Sequence, residues 1–211
     1  SGFTLMIRIL TAVFALTFAL FAAAQPGPVT VHPVLGKRGM VVAGHPQAVA
    51  AGMAVLRTGG NAIDAAIATS LALGVAEPYA SGLGGKLVML YYEAVSGQIY
   101  VVEAMDAAGS MDVPAYLKRP KEDHSYGYGA VCVPGLAAGL WTAHQKWGSR
   151  AWADDVEPAI ELARDGFQVL PKSRDLFEEQ IKKLNRGDPE IARIFLPNGQ
   201  LPSPGFLLTN P

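Results

Sequence analysis

The sequence predicts an α+β domain in which helices pack as a layer on a sheet. Two stretches, residues 46–57 and the segment from Asn61 onward, carry apolar residues at helical spacing among many alanines. Two β-rich runs follow at residues 87–95 and 99–105, and further helical patterns come after them. This order of elements favours helices laid on a sheet.

The first helix is expected over residues 46–57, with Gly59-Gly60 as its stop. Asn61 then caps a second helix, because its short side-chain oxygen can accept a free backbone amide. Asp64 follows in the first turn, where a carboxylate suits the positive end of a helix. The many alanines allow close approach of neighbours, so this helix is predicted to be buried. The short apolar run at residues 40–43 is predicted to be a strand.

The two β-rich runs are predicted to form a hairpin, because Ser96-Gly97-Gln98 separates them. Apolar residues at consecutive positions, 87–90, predict a sheet that is covered on both faces. The other expected elements are a strand at 130–133, helices opened by Pro134-Gly135 and by Pro158, an extended segment at 167–170 and a charged helix at 173–184. Residues 109–128 and the tail after residue 184 are expected to be loop-rich.

Composition restricts the class of function. The chain has 211 residues, half of them apolar, and a formal net charge of -1. Its basic residues are scattered, which argues against a nucleic acid as partner. The single cysteine, Cys132, lies in an apolar run and is predicted to be a buried structural thiol without a disulfide.

The N-terminus has the pattern of a targeting segment. Met6 is interpreted as the start, with residues 1–5 as upstream sequence, and an apolar stretch at 9–21 is followed by three alanines. Such a stretch is short for a membrane span and is typical of a cleaved signal peptide. Residues 1–24 are therefore predicted to be removed. After this cleavage, residues 25–38 are expected to form an extended arm. The protein is then expected to have no stable membrane anchor and to be periplasmic or secreted.

Five short motifs follow one another along the chain. They are G-M-V-x-A-x-H-P-x-A at 39–48, G-G-N-A-x-D-A-A at 59–66, E-P-x-x-S-G-x-G-G at 77–85, V-P-G-x-x-x-G-L at 133–140 and P-A-I-x-L-A-x-x-G-F-x-V at 158–169. Together they resemble the N-terminal part of the large subunit of gamma-glutamyltranspeptidases (glutathione hydrolases). Lys86 stands where this family usually continues with glycine, which indicates a divergent member. The resemblance implies the αββα sandwich of N-terminal-nucleophile hydrolases, incomplete here, over residues 39–211.

The resemblance also implies a mechanism. Family members cut themselves before a threonine, whose hydroxyl then attacks an amide carbonyl, and the acyl group passes to water or an amine. That threonine belongs to the small subunit, beyond Pro211, so no catalytic residue is expected within this chain. The implied partners are the protein's own C-terminal small subunit and a small-molecule amide or peptide substrate. The chain by itself is expected to be inactive.

No cofactor and no metal are expected. None of the four histidines lies at metal-ligand spacing from another histidine, a cysteine or a carboxylate. His45, before a proline at a helix start, is expected to satisfy local backbone. The neighbouring pair Asp154-Asp155 is interpreted as a solvated helix face.

The substrate-binding candidates are Met105 and Asp106. In the resembled family, an arginine at the end of the second hairpin strand binds the α-carboxylate of the gamma-glutamyl group; Met105 holds that place here, with Glu103 and Asp106 at roughly matching acidic positions. A thioether lacks the charged, forked donors of a guanidinium. Losing such a pair lowers affinity by roughly a hundredfold or more, and the carboxylates left behind would repel an α-carboxylate.

The resemblance implies glutathione hydrolysis or gamma-glutamyl transfer through a threonine acyl-enzyme, but Met105 leaves open whether the protein is an enzyme of this kind, with two alternatives. One hypothesis is an amidase of the same mechanism with altered acyl specificity. Another is a non-catalytic exported relative that keeps the fold as a binding or scaffold protein.

Overall fold

The computed structural model describes residues 34–110, 112–125, 127–186 and 189–211. The predicted signal peptide at 1–24 and residues 25–33 of the predicted arm lie outside these ranges, and both stay predictions. Residues 34–37 belong to an N-terminal unit, Ser1–Lys37, and are exposed with neither helix nor strand. All elements below belong to the second unit, Arg38–Pro211. Within the described ranges, no helix is long and apolar enough to cross a bilayer.

Two helices made largely of small residues, α1 (Pro46–Arg57) and α2 (Ala62–Ala76), pack against each other as predicted. At Gly52 they approach so closely that an added Cβ would lie 2.1 Å from Oγ1 of Thr69. The predicted strand at 40–43 is wrong, because these residues have no strand conformation. The apolar side chain of Val41 packs on α1 and α2 instead, so the run contributes to burial without backbone pairing.

The predicted hairpin is confirmed. Strand β1 (Leu87–Glu93) pairs antiparallel with β2 (Gln98–Ala104), from Leu87 opposite Ala104 to Glu93 opposite Gln98. The connecting loop ends at Gly97, whose φ of 69° suits a residue without a Cβ.

The segment after the hairpin differs from its prediction. It forms a short helix, α3 (Val113–Leu117), and two 3-10 turns, Lys121–His124 and Tyr128–Ala130, where loop was expected. The predicted strand at 130–133 is wrong, since the second turn occupies its first residue and Val133 alone among its residues forms a bridge, to Ala107. Cys132 is exposed, so the prediction of a buried thiol is wrong as well.

The next two helices are α4 (Leu136–Trp147), which is confirmed, and α5 (Trp152–Asp165). The latter begins six residues before Pro158, so the prediction that this proline opens the helix is wrong. Pro158 lies in the second turn, where its missing N–H removes one helical hydrogen bond and the flanking turns carry the helix through. Gly166 ends α5 as predicted, with a φ of 100°.

The last part of the chain is more regular than predicted. Strand β3 (Phe167–Gln168) pairs antiparallel with β4 (Leu207–Leu208) from the tail. Between them lie helices α6 (Pro171–Arg186) and α7 (Pro189–Phe195) and a 3-10 turn. The pairing of β3 with β4 brings the tail back against the end of α5.

The helices cover one face of the hairpin. The side chains of this face pack around Ile67 and Leu140, both fully buried, and they are Leu87, Met89, Tyr91 and Val102. The opposite face, here named the open face, consists of Val88, Leu90, Tyr92, Ile99 and Val101, which are 56–72% exposed. Among the described residues, helices cover one face of the hairpin, and the covering of the open face stays a prediction. The strands are apolar on both faces, but helices lie on one.

Candidate functional site

Both residues predicted to bind substrate, Met105 and Asp106, directly follow the end of β2. The backbone beside them is locked to the start of α4, because the N–H of Gly135 donates to the carbonyl oxygen of Gly85 at 3.1 Å. A Cβ on Gly135 would lie 2.2 Å from the carbonyl oxygen of Ala104. The absence of a side chain at Gly135 thus lets Gly85, the end of β2 and the start of α4 meet.

A lysine faces Asp106 at this junction. Its Nζ, on Lys86, lies 3.3 Å from Oδ1 of Asp106. The hydrogen bond from Lys86 holds the pKa of Asp106 below its ordinary value, with a smaller contribution from the Cys132 thiol. Both charged side chains are accessible, 57% and 31% exposed, so their ion pair adds little to stability. We name Lys86, Met105, Asp106 and Cys132 the strand-end site.

Met105 is 45% exposed and offers the strand-end site an apolar, uncharged surface. The sequence led us to expect carboxylates here without a cation, because no arginine occurs between Arg57 and Arg119. The structure corrects this expectation, since the ammonium of Lys86 lies beside Asp106. The site therefore combines one cation, one carboxylate and an apolar side chain.

A second group of polar residues is buried among the helices. Asp64, at the start of α2, is fully buried and accepts hydrogen bonds from the N–H of Asn61 at 2.9 Å and the N–H of Ser149 at 3.0 Å. Burial acts to raise its pKa, but hydrogen bonds from Ser149, Asn61 and the Arg150 backbone outweigh burial and hold the pKa below its ordinary value. The predicted cap is confirmed, because Oδ1 of Asn61 accepts the N–H of Ile63 at 2.8 Å.

Asp155 and His144 lie beside Asp64. Asp155 is fully buried, and burial, followed by the charge of Asp64, raises its pKa to about 6 against the opposing effects of Arg150 and His144. Its Oδ1 lies 3.5 Å from Nε of Arg150. Nε2 of His144 is 3.0 Å from the carbonyl oxygen of Arg150. One ligand atom from each of Asp64, His144 and Asp155 lies within 4.8 Å of the others, and we name these three residues the buried polar cluster.

Sequence reasoning missed this cluster. The interpretation of Asp154-Asp155 as a solvated face holds for Asp154 and is wrong for Asp155. A signal was available, because Asp155 lies four residues before the buried Ala159 and shares its helix face. The link to Asp64 was not available, since the helices that bring them together are distant in sequence.

Comparison with known proteins agrees with the fold. A crystal structure of Helicobacter pylori gamma-glutamyltranspeptidase superposes with a TM-score of 0.78 at 27% identity, over 84% of this chain and 52% of that one. The helices and hairpin are thus part of the α+β fold of N-terminal-nucleophile hydrolases, and the predicted fold class is confirmed.

Residues 48–211 match the gamma-glutamyltranspeptidase family model. The chain belongs to the gamma-glutamyltranspeptidase family. It is 36% identical over 172 residues to a glutathione hydrolase proenzyme of Bacillus subtilis (strain 168), covering 79% of this chain and 29% of that protein. It is 38% identical over 188 residues to the acylase ACY 1 proenzyme of Pseudomonas sp. (strain V22), covering 83% of this chain and 33% of that protein. The chain thus spans about a third of the length of these relatives.

Proposed function

We propose that this chain is the N-terminal part of an exported, self-processing amidohydrolase or acyltransferase. Its membership of the gamma-glutamyltranspeptidase family supports this function, as does the similarity to two proteins that are named proenzymes. The nucleophilic threonine of the proposed mechanism lies in a part of the protein outside this chain. Export is supported by the apolar stretch at 9–21 with its alanine-rich end.

The proposed partner of the chain is the rest of the same protein. The open face presents five large apolar side chains, and a face of this kind is usually buried by another layer. Relatives about three times as long as the matched region have ample chain to supply such a layer. We assign the open face to a second sheet from the C-terminal part.

The strand-end site carries the proposal on specificity. Met105 gives an acyl group an apolar contact, and the cation of Lys86 is already paired with Asp106 at 3.3 Å. An α-carboxylate would have to compete with Asp106 for that cation. The chain is about as similar to an acylase as to a glutathione hydrolase. The proposed acyl group is therefore one without the α-carboxylate of glutamate.

This specificity can be tested with the protein expressed from its complete gene. Met105→Arg is expected to raise kcat/KM for gamma-glutamyl amides at least about tenfold, because a guanidinium would pair with the α-carboxylate. The matched control is Val95→Arg, which adds the same charge at a hairpin loop position that is 99% exposed. A wild-type preference for gamma-glutamyl amides that Met105→Arg leaves unchanged would contradict the proposal.

The chain by itself is expected to be inactive. Purified residues 25–211 should release no product from a gamma-glutamyl anilide or from simple acyl anilides, because the proposed nucleophile is not among them. The protein from the complete gene, assayed in parallel, is the positive control. Turnover by the short chain above the uncatalysed rate would refute this expectation.

The second candidate is a non-catalytic exported relative that acts as a binding or scaffold protein. The observation that favours it is Met105 in the place of a charged substrate-binding residue. The coding sequence that follows codon 211 separates the two candidates. A threonine in a T-[TS]-H-[FS]-like stretch supports the enzyme, and its absence supports the scaffold.

A further inference from the structure

The buried polar cluster joins three helices at one point. Asp64 comes from the first turn of α2, His144 from the last turn of α4 and Asp155 from the first turns of α5. One ligand atom of each lies within 4.8 Å of the other two. Both carboxylates are fully buried. Nothing in the proposed reaction uses these residues, so the cluster needs an explanation of its own.

The cluster has more buried negative charge than the described residues balance. Arg150 offers one guanidinium, 3.5 Å from Oδ1 of Asp155, against the two carboxylates. The same guanidinium also donates to Oγ1 of Thr58 at 2.5 Å. Neither carboxylate oxygen of Asp155 has a hydrogen-bond partner among the described residues. Burying a carboxylate without hydrogen bonds raises the free energy of the folded state unless a further positive group balances its charge.

His144 is prepared to act as a ligand. Its Nε2 donates to the carbonyl oxygen of Arg150 at 3.0 Å, which leaves the lone pair on Nδ1 in the neutral tautomer. Nδ1 is buried and has no hydrogen-bond partner among the described residues. A histidine that holds its second nitrogen on a backbone carbonyl is the usual arrangement of a metal-bound imidazole.

Asp64 is also held in a fixed orientation. Its Oδ2 accepts the N–H of Asn61 at 2.9 Å, and its Oδ1 accepts the N–H of Ser149 at 3.0 Å. Ligating carboxylates are commonly positioned by such surrounding hydrogen bonds. The cluster thus has two oriented side chains, Asp64 and His144, beside Asp155, whose oxygens form no hydrogen bond among the described residues and whose cationic neighbour is Arg150.

We propose that the buried polar cluster binds one divalent first-row metal ion, best Zn²⁺, through Nδ1 of His144 and one oxygen each of Asp64 and Asp155. In a tetrahedral site, metal–ligand bonds of about 2.0–2.2 Å place the ligand atoms roughly 3.3–3.6 Å apart, so the three side chains, whose ligand atoms lie within 4.8 Å of one another, would have to close by up to about an ångström. One imidazole and two carboxylates are ligands that Zn²⁺ accepts. Bound there, the ion clamps α2, α4 and α5 together.

The test uses the protein from its complete gene, without a histidine tag, after dialysis against a chelator. Titration with Zn²⁺ in a calorimeter should show a site of micromolar affinity or tighter that Asp155→Asn and His144→Gln each weaken at least about a hundredfold. Asp154→Asn is the matched control, because Asp154 is the exposed neighbour of Asp155 on the same helix. It should bind as the wild type does. Zn²⁺ should also raise the Tm of the wild type and not that of Asp155→Asn.

A second readout does not depend on the variants folding. Cobalt(II) added to the wild type should give visible absorption bands that saturate at one equivalent and that Zn²⁺ removes. If the wild type binds no equivalent of either ion, or if Asp155→Asn binds as tightly as the wild type, the proposal is overturned. A shared proton or the ion pair with Arg150 would then balance the cluster.

Discussion

Phe167→Ala is expected to lower the free energy of unfolding by about 3–5 kcal/mol. The side chain of Phe167 is fully buried and packs with Ala76 of α2, Val169 just after β3 and Leu208 of β4. Removing the ring would leave a cavity where α2, β3 and β4 meet. The cavity cannot collapse readily, because the pairing of Phe167 with Leu208 fixes the two strands.

The same substitution should weaken the start of α1. His45 caps this helix as predicted, since its Nδ1 accepts the N–H of Gln47 at 3.2 Å. Its Nε2 lies 3.2 Å from the carbonyl oxygen of Gln168, and its ring meets Phe167 edge to face at 6.2 Å. Loss of the ring therefore affects the packing and the cap of α1 together.

Phe206→Ala is the matched control, because Phe206 is the same residue type and is 42% exposed. Phe206→Ala should lower the free energy of unfolding by less than about 1.5 kcal/mol, because a half-exposed ring contributes less buried apolar surface than Phe167 does. Urea unfolding followed by circular dichroism measures both variants. Equal midpoints for the two variants would show that Phe167 does not hold the junction of α2, β3 and β4.

The elements that sequence reasoning found are those with strong local signals. α1 and α2 have helical spacing, a glycine stop and the Asn61 cap, and each of these features acts within a few residues. The hairpin has two β-rich runs around Gly97. In both cases local preference and tertiary packing favour the same structure, so the local pattern was enough.

The wrong predictions come from features that depend on distant parts of the chain. Residues 40–43 have the composition of a strand, but Val41 finds its burial against helices and not in a sheet. Asp155 was interpreted as solvated from its type, whereas α5 turns it toward Asp64, 91 positions earlier in the sequence. Lys86 was noted as a departure from a family pattern, and its distance to Asp106 could not be read from spacing. Contacts of this kind are set by the packing of whole elements, which a local pattern does not encode.

Leu90→Lys is expected to block the proposed self-cleavage of the protein expressed from its complete gene. Leu90 lies at the middle of the open face, opposite Val101, and is 72% exposed in this chain. If a second sheet covers this face, as proposed, the substitution buries an unpaired ammonium at several kcal/mol. The fraction of precursor cut into two subunits should then fall at least about tenfold, which electrophoresis under denaturing conditions measures.

Two comparisons separate loss of assembly from loss of folding within the hairpin. In the 211-residue chain, Leu90→Lys should change the free energy of unfolding by no more than about 0.5 kcal/mol, because the side chain is already in water. Val95→Lys adds the same charge in the loop between the strands, where the side chain is 99% exposed, and should leave maturation intact. Normal cutting of the Leu90→Lys precursor would mean that no layer covers the open face. A lysine in the middle of this face is stable in water, whereas its burial in a dry interface without a partner is costly.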